Sequence, residues 1–183
     1  MVRLVFAFAL LAAPAMADCF GPPTPQVVHF NTGGDATILS STARDITYAI
    51  ALPDGTPGTS TLRYGLYPMA NANHGVTYHY DWQGDLPNPR NLTPGQRLSL
   101  DADLTVEHAT TQNFLMDIEV LRDEVITLDH CPYKVRVIAV THRLNGQIIG
   151  QMTQWLAPDL MFALRTDVVK PAPAMTFRAT ALE

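Results

Sequence analysis

From Arg97 to His108 apolar and polar residues alternate without a break. Leu98, Leu100, Ala102, Leu104 and Val106 fall on one side of the chain. Arg97, Ser99, Asp101, Asp103, Thr105 and Glu107 fall on the other. A period of two held this long belongs to a strand with one face on a core and one face in water. Phe114 to Leu121 repeats the pattern, with Phe114, Met116, Ile118 and Val120 together and Asp117 and Glu119 opposite. Arg122-Asp123-Glu124 then reads as a turn, and Val125 to Asp129 as a short strand. Asp45 to Leu52, Ser60 to Tyr67 and Val76 to Trp82 are further strands, set apart by Pro53-Asp54-Gly55 and by Pro68 to Gly75. From Asp18 onward threonine occurs 19 times and serine 4 times, a bias toward a β-branched residue that suits pleated sheet. No stretch after the first 17 residues reads as a helix.

The sharpest local signal is Asn145-Gly146 between Tyr133–Leu144 and Gln147–Leu156. A two-residue type I′ turn needs φ > 0 at both central positions, which Asn and Gly supply. The regular register then sets Leu144 against Gln147 and Arg136 against Trp155. Tyr133, Val135, Val137 and Ala139 share the core face with Leu156, Gln154 and Met152; Lys134, Arg136, His142, Ile149 and Trp155 share the wet face. Ala157-Pro158-Asp159-Leu160 makes a second tight turn. Met161 to Thr166 follows as a strand, Pro171-Ala172-Pro173 as a linker and Met175 to Leu182 as a last strand. The expected fold class is all-β: an antiparallel β-sandwich or half-open barrel with hairpin connections.

Residues 1–17 have the layout of a cleavable secretory signal. Arg3 precedes an apolar run from Leu4 to Ala13, Pro14 breaks it, and Ala15-Met16-Ala17 provides small residues for cleavage. The remainder, 18–183, is long enough for a single β-rich domain. It contains no further apolar stretch of membrane-spanning length. The expected location is periplasmic or secreted. Cys19 and Cys131 are the only cysteines, and an even count in an oxidising compartment reads as a disulfide. The competing reading, an acylated Cys19, lacks the small residue that should precede it, since Asp18 stands there. A formal charge of −5, with no basic run, argues against a nucleic-acid partner.

Motifs that carry chemistry are scarce. No Gly-rich phosphate loop, H-E-x-x-H or nucleophile elbow occurs. His79 and Asp81 share a strand face and could chelate a metal if His29, His108 or His142 came near. The solvated side of a strand whose aromatic side is core is the preferred explanation, and no metal or cofactor is expected. Asp117, Glu119, Asp123, Glu124 and Asp129 crowd together, and a carboxylate pair among them would allow hydrolysis. Arginines across the strand would instead make them an ordinary wet face. Tyr64, Tyr67, Tyr78, Tyr80 and Trp82 are the most informative group. Tyr78, Tyr80 and Trp82 alternate along one strand face, and the long Pro-rich segment Gln83–Gly95 follows them. Tyr64, Tyr78, Tyr80 and Trp82 therefore form a candidate ligand wall beneath a loop.

Cys131-Pro132-Tyr133 through Arg165, with Trp155-Leu156-Ala157-Pro158-Asp159-Leu160 ending a sheet, resembles the C-terminal part of uncharacterised exported proteins of alphaproteobacteria. More loosely it is similar to periplasmic lipoprotein carriers, whose curved sheet holds acyl chains. The resemblance implies β topology. The function expected of the chain is that of a non-enzymatic binding or envelope-accessory domain, its partner a small hydrophobic molecule or an envelope protein. Lipoprotein-carrier-like binding and hydrolysis by the acidic stretch stand as alternatives.

Overall fold

The structure, a computed structural model, describes residues 19, 25–51, 55–107, 109, 111–171 and 173–183. The signal segment and His108 lie outside the described residues.

Twelve strands follow one another: Val27–Phe30 (β1), Asp35–Ser41 (β2), Asp45–Ala51 (β3), Pro57–Arg63 (β4), Tyr67–Asn73 (β5), Val76–Trp82 (β6), Arg97–Val106 (β7), Gln112–Leu128 (β8), Cys131–Leu144 (β9), Gln147–Ala157 (β10), Phe162–Lys170 (β11) and Met175–Leu182 (β12). Each pairs antiparallel with its neighbours in sequence, and β12 pairs with β1, so the sheet closes into a barrel. Among the described residues the only helical element is the short 3-10 turn Pro89–Asn91. The all-β, antiparallel expectation holds; the sandwich does not, and the half-open barrel comes close but the sheet closes fully. Three strands were not read from the sequence. β1 and β2 lack clean alternation, and β5 occupies the stretch Pro68–Gly75 that reads as a loop. Those strands supply the missing wall.

Two further expectations are corrected. Arg122-Asp123-Glu124 does not turn the chain: β8 runs straight through, with Leu121 as the extra residue of a bulge. In the Asn145-Gly146 hairpin both residues do have positive φ, 48° and 81°, and Leu144 faces Gln147. A bulge at Ile149 then moves the register by one, so Trp155 faces Val137 and Arg136 faces Leu156. Arg136 and Trp155 lie on opposite faces, because a slip of one residue exchanges sides.

Four of the bulges share a feature, although Leu164, the residue skipped at a fifth, is fully buried. Leu39, Leu121, Ile149 and Val169 are each the unpaired residue of a bulge, and each is an exposed large hydrophobic.

Two clusters of buried side chains fill the interior. One gathers Val28, Val135, Val137, Trp155, Leu160 and Leu164. The other gathers Tyr67, Leu104, Phe114, Met116, Ile138 and Leu156. β9 contributes to both: Tyr133, Val135 and Val137 bury one side, Ile138 and Val140 the other. Tyr133, Val135 and Val137 are thus core as expected, but Ala139 is only half-buried, opposite Glu119 and Thr153. His142, expected on the wet face, shares its side of β9 with Ile138 and Val140 and packs on the ring of Phe114.

A disulfide joins Cys19 to Cys131, 112 residues apart, tethering the segment before β1 to the start of β9. With its thiol in that bond, Cys19 has no sulfur left for acylation.

Candidate functional site

Alternation places the charged residues outside the barrel and the apolar ones inside. Asp117 accepts hydrogen bonds from Ser99 at 2.7 Å and Arg143 at 3.0 Å. Arg97 reaches Glu119 at 2.8 Å, and Arg136 makes a two-point contact with Asp123. Glu124 takes the indole N–H of Trp155 and a bond from Arg122. The acidic residues are therefore held in polar pairs: Asp117 and Glu119 on the outer face and, past the Leu121 bulge, Asp123 and Glu124 on opposite sides of β8. Partial burial pushes the Asp117 carboxyl up, but the bonds from Ser99 and Arg143 outweigh it and hold it below the usual range. The bond from Arg136 lowers Asp123, and the Trp155 indole lowers Glu124. A general acid needs a carboxyl held up, so these three are set the wrong way for that role. This outer face is also unlike a membrane-spanning barrel, which shows lipid an apolar band and keeps its polar residues inside. Among the described residues no helix is long and apolar enough to cross a membrane.

Among the described residues the histidines do not converge. His79 and Asp81 lie exposed on β6, opposite Thr105 and Asp103. His29 is held between Asp35 at 2.7 Å and Glu183 at 3.3 Å, while His142 faces the interior. Among the described residues no three His, Cys, Asp or Glu groups form a metal-holding cluster.

The aromatics picked out in the sequence line one wall of the interior. Tyr80 stacks on Trp82 with ring centroids 6.5 Å apart, and both meet Phe114 edge-on. The Trp82 indole donates to the Pro68 carbonyl at 2.8 Å, and the Tyr67 hydroxyl donates to the Pro87 carbonyl at 2.9 Å. Tyr78 packs against the same cluster, and Tyr64 sits in the β4–β5 turn with φ 53°. The segment after β6 is pinned to the barrel: Arg90 pairs with Asp159, and Gly95 donates to the Val120 carbonyl.

The open space lies elsewhere in the interior. A cavity of about 230 Å³ is walled by Phe30, Tyr48, Ile50, Phe162, Val168 and Phe177, with Gln154 and Thr166 at mid-height. Gly65 and Phe162 mark one end, near the β4–β5 and β10–β11 turns; Ile50 and Val168 mark the other. The first end is blocked. A Cβ on Gly65 would run into the carbonyl of Met161, so the two turns meet backbone to backbone across the barrel. Burial pushes the pKa of the Tyr48 hydroxyl up despite a bond with Ser60. Two interior atoms have no hydrogen-bond partner, Nε2 of His142 and Oε1 of Gln154. A larger groove of about 440 Å³ runs outside, between the β8–β9 hairpin and Pro158, but its Arg90, Asp123, Arg136 and Asp159 are already matched in pairs. The apolar cavity is the better candidate site.

Sequence reasoning missed Phe30, Tyr48, Phe162 and Phe177, which come from four strands far apart in the chain. Gln154 carried a signal: it occupies an expected core position, and a buried amide requires a partner.

No protein-family model matches the chain, and no curated protein matches it. Among solved structures the fold is similar to the crystal structure of the hypothetical lipoprotein YmcC from Escherichia coli. That likeness has a TM-score of 0.50 at 12% identity and covers 85% of this chain and 86% of that one. At that identity it shows the barrel and no more; the narrower resemblance to alphaproteobacterial proteins draws nothing from it.

Proposed function

We propose that this is an exported, non-enzymatic envelope protein whose barrel interior takes up a small apolar or amphiphilic molecule. The observation that carries the reading is the cavity of about 230 Å³, walled by aromatic and aliphatic side chains inside a closed barrel. Export is supported by the secretory layout of residues 1–17 and by the disulfide, which persists in oxidising compartments. Size narrows the ligand. A cavity of about 150 Å³ binds benzene, and drug-sized sites run to roughly 300–1,000 Å³. The space here suits one short aliphatic chain. It is too small for the several long acyl chains of a whole lipoprotein, so a carrier of complete lipoproteins is the weaker form of the proposal.

Octanoate is a suitable probe. Saturating octanoate should raise the unfolding midpoint, by an amount equivalent to about 2.7 kcal/mol at a hundredfold excess over Kd. Thr166→Phe, which fills the cavity from mid-height, should abolish the shift while leaving the far-ultraviolet spectrum unchanged. An unmoved midpoint in the parent protein, together with a clean ligand-free mass by native mass spectrometry after incubation, would refute the reading.

A further inference from the structure

The walls of the cavity are apolar except at one level. Gln154 on β10 and Thr166 on β11 face each other across the ladder and both line the space. Phe177 is level with them, directly across from Thr166; Ile50 and Val168 stand above, and Leu62, Phe162 and Gly65 below. The side-chain amide of Gln154 has one weak neighbour, its nitrogen 3.6 Å from the sulfur of Met152. Its oxygen is buried and has no partner. A buried amide oxygen left unpaired costs free energy, and native proteins leave few such groups without a reason. Thr166 adds a hydroxyl at the same level. An amide can offer either an oxygen or, turned about, an N–H. The site thus has a polar belt half-way along an otherwise greasy well whose floor is the Gly65–Met161 contact.

We infer that the cavity selects an aliphatic chain bearing a single hydroxyl or carbonyl part-way along its length, which the amide of Gln154 receives. The inference rests on the proposed uptake of an apolar ligand and adds the chemistry that distinguishes one chain from another. A plain chain would fill the well but leave the Gln154 oxygen unpaired. A hydroxylated chain would satisfy it from inside a water-poor site. A purely aromatic or fully apolar ligand has nothing to offer at that level.

The experiment is a calorimetric comparison of octanoate with 3-hydroxyoctanoate on the mature, oxidised protein, repeated with Gln154→Leu and Gln154→Glu. The parent should bind the hydroxylated chain about tenfold more tightly, the scale of one buried hydrogen bond made rather than lost. Gln154→Leu should bind octanoate at least as well as the parent and lose the preference. Gln154→Glu, which places a charge in the well, should weaken both carboxylate ligands. Equal affinity of the parent for the two chains overturns the inference and leaves apolar uptake standing. A preference that survives in Gln154→Leu also overturns it. Binding of neither chain overturns both this inference and the uptake on which it rests. Circular dichroism and the unfolding midpoint of each variant establish that it is folded, and Gln154→Met serves in place of Gln154→Leu if the latter is not.

Discussion

The guanidinium of Arg165 lies over the indole of Trp155, its central carbon 4.2 Å from the ring centroid. The two residues face each other across β10 and β11. Glu124 accepts the indole N–H at 2.8 Å, so one ring ties together a cation, an anion and the packing around Val137. A double-mutant cycle on Arg165→Ala and Trp155→Phe should show a coupling of about 0.5–1 kcal/mol. The same cycle with Arg136→Ala should return additive effects, because Arg136 lies on the other face. A coupling between Arg136 and Trp155 as large as that of Arg165 would restore the unbulged register.

The two glycine turns should behave differently. Gly146→Ala meets open space and suffers only the strain of φ 81°, about 1 kcal/mol. Gly65→Ala carries similar strain and also drives a methyl group into the Met161 carbonyl. It should cost several times more, about 3 kcal/mol or above, in urea denaturation. Equal losses would show that the β4–β5 and β10–β11 turns are not in close contact.

The imidazole of His142 is pushed down to about 4 by burial. In the unfolded chain it takes a proton near 6.5, and in the barrel only near 4. Its contribution is therefore whole above pH 6.5 and is lost as the pH falls from 6.5 toward 4, to a total of about 3 kcal/mol. His142→Leu should flatten the pH dependence of stability in that window. The measurement is the difference between parent and variant in urea midpoints at pH 7, 6 and 5; a constant difference would place His142 in contact with water.

Intact mass should fall by about two hydrogens relative to the reduced protein, with no lipid adduct on Cys19. Cys131→Ser should lower stability by about 2–5 kcal/mol, since a loop of this length gives the bridge much unfolded-state entropy to remove. Complete alkylation of both cysteines without reductant would disprove the bridge.

Strands with one wet face and one dry face were legible from their residues alone. β6, β7 and β12 fall within two residues of where alternation puts them, and the first half of β8 does too. The all-β class, the Asn145-Gly146 turn and the cysteine pairing could be read for the same reason, that each rests on local chemistry. Closure could not. It depends on β1, where Val27 and Val28 are followed at once by His29 and a turn, and on β5, where Pro68, Asn71 and Asn73 mask a strand. The bulges misled in a particular way. Ile149 is apolar and reads as an ordinary step of the hairpin, and nothing in its identity says that it is unpaired. The cavity was beyond reach for a geometric reason: Phe30, Tyr48, Phe162 and Phe177 meet only once the ring is shut.

The β1–β12 seam has a kinetic consequence. Val28 pairs with Leu182, and the amide of Glu183 donates to the carbonyl of Val27. All the other ladders join strands adjacent in sequence and can zip one after another. The seam must bring together two ends of the sheet about 150 residues apart, a search that slows folding and whose entropy is recovered only at the last step. Until it closes, β1 and β12 present bare edges on which a second chain can add a strand.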